Sequence, residues 1–304
     1  MNSRMIQGVF DDHEPATQAL WDGPDGVWDA EANTDRFVAA MPEWRRHGLL
    51  SFTVGLQGGN PRGYGESQPW IVGAFASDGS VRPGYFERLA RILDQADELG
   101  MAPIVSFLYF GQEPRFESER AVFRAVDEST DRLMQGPWQN LIIEIANETD
   151  YPPYRHEISK PDRIAELIIR VQERTGRRWP VGTSFAGGKV PSHAVIEASD
   201  VVLMHGNSVE EPETMRQLIR EAKSSPAYRG QPIVVNEDDH EGFDQPDSNA
   251  LAALDEGASW GWFDYRRAGE PFEDGCQSVP TDWGIRSARK KAFFGWVADV
   301  TGSL

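Results

Sequence analysis

The sequence predicts an α/β fold, a single (β/α)8 TIM barrel spanning residues 1–304. Short apolar runs rich in Val, Ile, Leu and Phe alternate with longer amphipathic stretches, eight times over. The runs are almost continuously hydrophobic, as parallel strands covered on both faces must be. No glycine-rich phosphate turn follows the first run, where Gly8-Val9-Phe10-Asp11-Asp12-His13 stands instead, so an open dinucleotide-binding sheet is disfavoured.

The expected strands are Met5–Phe10, Leu49–Leu56, Ala102–Phe110, Leu141–Asn147, Pro180–Phe185, Asp200–Asn207, Pro232–Glu237 and Ala258–Tyr265. Between them, Pro83–Leu99 carries Phe86, Leu89, Ala90, Leu93 and Ala96 at helical spacing, with Pro83 at its start and Gly100 just past its end. Lys160–Thr175 repeats the pattern: Ser159 and Asp162 form a capping-box-like start and Gly176 closes it. Further helices are expected near Asp35–Arg46, Glu119–Met134, Pro212–Lys223, Asp247–Glu256 and Ser287–Val300, with a short fifth connection at Pro191–Ala198. Strict alternation of eight such units points to a closed cylinder.

Composition narrows the function. Lys and Arg number 30 against 48 Asp and Glu, a net charge of −18, which repels phosphate backbones and anionic bilayers. Neither a nucleic acid nor a membrane partner is expected, and a neutral substrate suits the balance. Cys276 is the sole cysteine, so neither an intrachain disulfide nor a thiolate metal cluster can form. The N-terminus lacks the apolar stretch of a signal peptide, and no run reaches the roughly 18 residues of a membrane span. Cytoplasmic residence is the default expectation, secretion the alternative if an export signal has been removed.

Chemistry in such barrels sits where strands end. The fourth strand reads Leu141-Ile142-Ile143-Glu144-Ile145-Ala146-Asn147-Glu148. Alternation places Ile142, Glu144, Ala146 and Glu148 toward the axis, with Glu148 at the mouth. The seventh reads Pro232-Ile233-Val234-Val235-Asn236-Glu237; with Ile233 and Val235 facing the axis, Glu237 points into the same mouth. Two facing carboxyl groups suit glycosidic bond cleavage. A gap of about 5–5.5 Å implies nucleophilic attack with retention, about 6.5–9.5 Å an intervening water and inversion. Glu148 is assigned as acid/base and Glu237 as nucleophile of a retaining reaction on a carbohydrate, with no cofactor. Asn147 offers an amide for a sugar 2-hydroxyl.

The stretch Ile142-Ile143-Glu144-Ile145-Ala146-Asn147-Glu148 resembles the fourth-strand motif of the glycoside hydrolase family that includes many cellulases and mannanases. That resemblance implies an acid/base at Glu148 after Asn147 and a nucleophile at Glu237. It further implies a strand-six histidine near the nucleophile at His205, and a strand-eight tryptophan flooring the reacting-sugar subsite at Trp262. The family's usual strand-two Arg and strand-three His have no match in Leu49–Leu56 or Ile104–Phe110, and Thr149 stands where cellulases usually have Pro.

Other substrate-contact candidates are Asn207, Asp239, His240, Gln57, Tyr109 and Trp70. Aromatic faces pack on the C–H faces of sugars, so Trp21, Trp28, Tyr64 and Trp70 in loops read either as subsite walls or as loop packing. The runs Asp11-Asp12-His13 and Asp238-Asp239-His240-Glu241 lack ligand spacing diagnostic of a particular ion, so no metal is expected. Competing functions are a carbohydrate-binding barrel without turnover and a metal-dependent hydrolase or lyase.

Overall fold

A computed structural model describes residues 1–24, 26–65, 68–243 and 245–303. Among these residues are eight parallel strands, at Asn2–Ser3 (β1), Thr53–Gly55 (β2), Ile104–Tyr109 (β3), Ile142–Asn147 (β4), Val181–Gly182 (β5), Val202–His205 (β6), Ile233–Asp238 (β7) and Ser259–Trp262 (β8). They run as two arcs, β1-β8-β7-β6 and β2-β3-β4-β5. Arg4 bridges to Thr53 in parallel at one seam. At the other, the Asp200 amide donates to the Val181 carbonyl at 2.8 Å. The arcs thereby close into a (β/α)8 barrel.

Among the described residues, eight α-helices form the jacket: Ala30–Arg46 (α1), Pro83–Glu98 (α2), Glu119–Gln135 (α3), Ile164–Thr175 (α4), His193–Ala198 (α5), Pro212–Ser224 (α6), Asn249–Asp255 (α7) and Ala288–Thr301 (α8). Outward strand residues such as Ile143, Ile145, Val202, Met204 and Val235 join the helices in the main core. Inside the cylinder, Ile104, Val201, Leu203 and Val234 form an apolar plug. Above it the interior turns polar.

Three expectations are corrected. Met5–Phe10 is not a strand: β1 ends at Ser3, and Ile6–Val9 make a buried 3-10 turn. Its carbonyls are taken by α1, where Asn33 Nδ2 donates to Gln7 O at 2.9 Å and Thr34 Oγ1 to Gly8 O at 2.7 Å. Gly8 lies so close to the Phe37 ring that a Cβ would sit 2.9 Å from it. The apolar run is thus a turn buried under α1 and α2. Helix α4 starts at Ile164, because the Ser159 hydroxyl donates to Glu113 Oε1 at 2.8 Å instead of capping it; Gly176 closes the helix in the left-handed region, as expected.

The third correction concerns β7. Val234 belongs to the interior plug and Val235 to the outer core, the reverse of the expected parity. Strict alternation would then turn Glu237 outward. The register slips instead: Met204 pairs with Val235 but His205 with Glu237, leaving Asn236 as an extra residue. Such a bulge re-aims a side chain. Asn236 Nδ2 donates to interior Glu144 Oε1 at 3.1 Å, and Glu237 also faces inward.

Candidate active site

At the mouth, β1, β4, β6 and β7 bring five ionisable groups together. Arg4 follows β1, 3% exposed, and its Nε lies 2.5 Å from Glu237 Oε2. Its other guanidinium nitrogens reach Asn147 Oδ1 and, at 3.5 Å, Glu144 Oε2. Asn207 Nδ2 donates to Glu237 Oε1 at 2.6 Å, so each Glu237 carboxylate oxygen has a donor. His205 Nδ1 lies 3.0 Å from Glu148 Oε1 and 3.8 Å from Glu237 Oε2. One atom each of Glu148, His205 and Glu237 fall mutually within 4.8 Å. The two carboxyl groups therefore face each other at close range.

Glu148 takes a positive φ of 51°, the left-handed region that non-glycine residues seldom enter. Neighbouring loops hold it there. Its amide donates to Ser184 Oγ at 3.1 Å, and its carbonyl accepts from the Tyr151 amide at 2.8 Å. The Tyr154 hydroxyl donates to Asn147 O at 2.6 Å. The β4 loop is tied further by buried Glu113, which accepts from the Ser159 hydroxyl, His156 Nδ1 at 2.9 Å and the amides of Arg155 and His156.

Electrostatics follow from burial and pairing. Burial pushes the Glu237 carboxyl up from its ordinary value, opposed by Arg4, His205 and the Asn207 amide, all of which favour the ionised form. Burial works against a charged His205 imidazole, yet Glu237 and Glu148 outweigh it and raise His205 above the usual histidine value. Glu144, fully buried one layer below, is also opposed by burial, but Arg4, His205, Ser106 and Ser184 hold it below the usual range. Ser184 Oγ donates to its Oε1 at 2.8 Å.

A cavity of ≈330 Å³ opens over this cluster, lined by Arg4, Asn147, Glu148, Glu237, Gln57, Tyr109, Asn207 and Asp239, among others. Gln57 Oε1 also accepts the Tyr109 amide at 2.8 Å, locking β2 to β3. His205 lies just beneath the two carboxylates. Three expected contacts fall elsewhere. His240 turns away, its Nδ1 2.6 Å from Asp238 Oδ1. Trp70 packs with Phe10, Trp21, Val72 and Val279 in a separate loop core, where Arg62 lies 5.8 Å over its ring.

Trp262 is 1% exposed and points into the jacket, its ring 4.8 Å from Phe293 of α8 and 5.4 Å from Phe243. Gly261 faces the interior, pressed against the Asn2 side chain. Parity therefore brings Phe263, not Trp262, to the cavity wall. Sequence reasoning also missed Arg4 and Asn236. A charged residue just before an apolar run was the available signal for the first; nothing in the sequence marks the bulge that turns the second.

No family model matches the chain, and no curated protein does. Solved structures do. A glycoside hydrolase family 5 enzyme from Prevotella bryantii superposes with a TM-score of 0.62 at 10% identity, over 99% of this chain and 95% of that one. A broad-specificity endoglucanase from Clostridium longisporum gives 0.59 at 11%, over 99% and 96%. An endo-1,4-beta-mannanase from Rhizomucor miehei gives 0.58 at 12%, over 89% and 91%. At these identities the likeness is one of fold: the chain is a (β/α)8 barrel built like these glycoside hydrolases.

Proposed function

We propose that the chain hydrolyses O-glycosidic bonds with retention, Glu237 attacking the anomeric carbon and Glu148 serving as acid and then base. The observation carrying this reading is the approach of the two carboxylates, with an oxygen of each within 4.8 Å of the other. So close an approach suits the short spacing of direct attack better than the wider gap of an inverting pair. Fold likeness to glycoside hydrolases adds support.

In the first step Glu237 bonds to the anomeric carbon as the bond to the aglycone oxygen breaks, and that oxygen takes the proton of Glu148. In the second, water passes a proton to Glu148 and its oxygen to carbon, freeing the Glu237 carboxylate. The surroundings fit these roles. Arg4 and Asn207 favour the ionised form of Glu237 and aim its carboxylate. Two cations, Arg4 and a protonated His205, then balance the charges of Glu237 and Glu144, so the buried cluster is neutral when Glu148 carries a proton. An uncompensated buried charge would be costly.

Glu148, His205 and Glu237 also present atoms close enough to hold a metal ion. The Arg4 guanidinium beside Glu237 disfavours a cation there. The test is trapping with a 2-deoxy-2-fluoroglycosyl fluoride: mass spectrometry should find the sugar on the peptide containing Glu237, in chelator-treated protein as in untreated. Labelling elsewhere, or products of inverted configuration, would overturn the reading.

A further inference from the structure

One side of the mouth is closed and the other is walled by aromatic rings. The Tyr64 hydroxyl, from the loop after β2, donates to Asp239 Oδ2 after β7 at 2.8 Å. The Tyr64 ring packs edge-on against Tyr265 and Phe263 after β8, at 4.9 and 5.6 Å. Gly63 lies so near Tyr265 that a Cβ would sit 2.5 Å from its ring. In the closed barrel β1 and β8 lie between β2 and β7, so this strap shuts the cleft on their side.

On the β3–β4 side a groove of ≈760 Å³ adjoins the catalytic cavity, sharing Tyr64, Tyr109, Phe110 and Tyr151 with it. Tyr109 and Phe110 lie 4.2 Å apart, Phe110 and Tyr151 4.4 Å, in tilted stacks. Pro114, Pro152 and Pro153 complete much of the wall. The Gln68 amide in this wall donates to Tyr109 Oη at 3.2 Å. Tyr151 shares the turn of the acid residue, so the groove begins where the proton is delivered.

We propose that the site takes small glycosides, with one terminal sugar in the strapped cavity and a flat, apolar aromatic aglycone in the groove of Tyr109, Phe110 and Tyr151. The proposal rests on the hydrolase reading. A cavity of ≈330 Å³ is at the small end of ligand pockets. A sugar aglycone could lay a C–H face on one of these rings, but the hydroxyls around its edge would need polar partners, and these walls offer mostly rings and prolines. An aryl group loses little by leaving water and gains stacking.

The experiment compares aryl and methyl glycosides of glucose, galactose, mannose and xylose, with the matching polysaccharides, in wild type, Tyr151→Ala and Tyr151→Phe. Binding of the phenyl thioglycosides, which needs no turnover, is measured in parallel. Tyr151→Ala should weaken phenyl thioglycoside binding and lower kcat/KM on the aryl glycoside roughly 2- to 12-fold, the worth of one aromatic stack. The methyl glycoside, which leaves the groove empty, should lose clearly less than the aryl glycoside, and Tyr151→Phe, which keeps the ring, should retain aryl glycoside binding. Equal losses on aryl and methyl substrates, unaltered thioglycoside binding in Tyr151→Ala, or cleavage mainly within polysaccharide chains would overturn the proposal. Thioglycoside binding that responds to Tyr151 without hydrolysis of any substrate would sink the hydrolase reading but leave the aryl site standing.

Discussion

Arg4 Nε and Glu237 Oε2, 2.5 Å apart, join the first and seventh strands across the mouth in a buried ion pair. Burial alone raises the Glu237 carboxyl, and the guanidinium is the strongest influence opposing it. Attack requires the ionised form, so activity should fall on the acid side through a pKa above 4.5, the ordinary glutamate value. Arg4→Met should move that limb to higher pH and lower kcat/KM by at least about 100-fold, while Arg4→Lys recovers part of the loss. The measurement is kcat/KM against pH. A limb that stays in place would show that Arg4 does not tune Glu237.

Removing either carboxylate should give different defects. Glu237→Ala should abolish retaining turnover. Glu148→Ala should spare the first step for substrates with good leaving groups, and added azide should partly restore turnover as a glycosyl azide of retained configuration. Losses below about 100-fold in both variants would contradict the assigned roles.

Trp262 and Phe263 are adjacent, yet should separate stability from binding. Trp262 fills the core between β8 and α8, so Trp262→Ala should cost about 3–5 kcal/mol in denaturant unfolding. Phe263→Ala, at the cavity wall, should raise KM with a smaller loss of stability. The opposite pattern would mean that Trp262 is the sugar platform after all.

Glu113 makes no contact with the cavity but accepts hydrogen bonds from the Ser159 hydroxyl, the His156 ring and two amides. Glu113→Ala leaves those donors buried without a partner, and each costs about 1–3 kcal/mol. We expect a loss of several kcal/mol in chemical denaturation, and faster proteolysis of the 148–160 loop under native conditions. Cleavage unchanged in both rate and position would argue against this tie.

Much of this arrangement was legible in the sequence, because strand ends in parallel barrels carry chemistry and apolar runs of this length mark strands. Glu148 lies at the mouth, the end of the barrel that alternation along β4 pointed it toward, whereas Asn147, which alternation would turn outward, also lines the cavity. Alternation failed wherever backbone regularity failed. The run Met5–Phe10 has strand composition, but its carbonyls are claimed by Asn33 and Thr34 from a helix more than 20 residues on. That shortened β1 and hid Arg4. Glu237 was placed correctly for the wrong reason: its inward aim comes from the slipped register at Asn236, which depends on pairing with β6. At β8 the small residue was the better guide, since only Gly261 fits beside Asn2 inside the narrow cylinder.

The left-handed backbone at Glu148 has a consequence for how such a chain tolerates change. A non-glycine residue held there stores about 1–3 kcal/mol that folding must absorb. Glycine would relax the kink while deleting the carboxyl group. A change chosen for thermal robustness alone would thus remove the carboxyl group that the proposed reaction needs, setting endurance against reactivity at a single backbone kink.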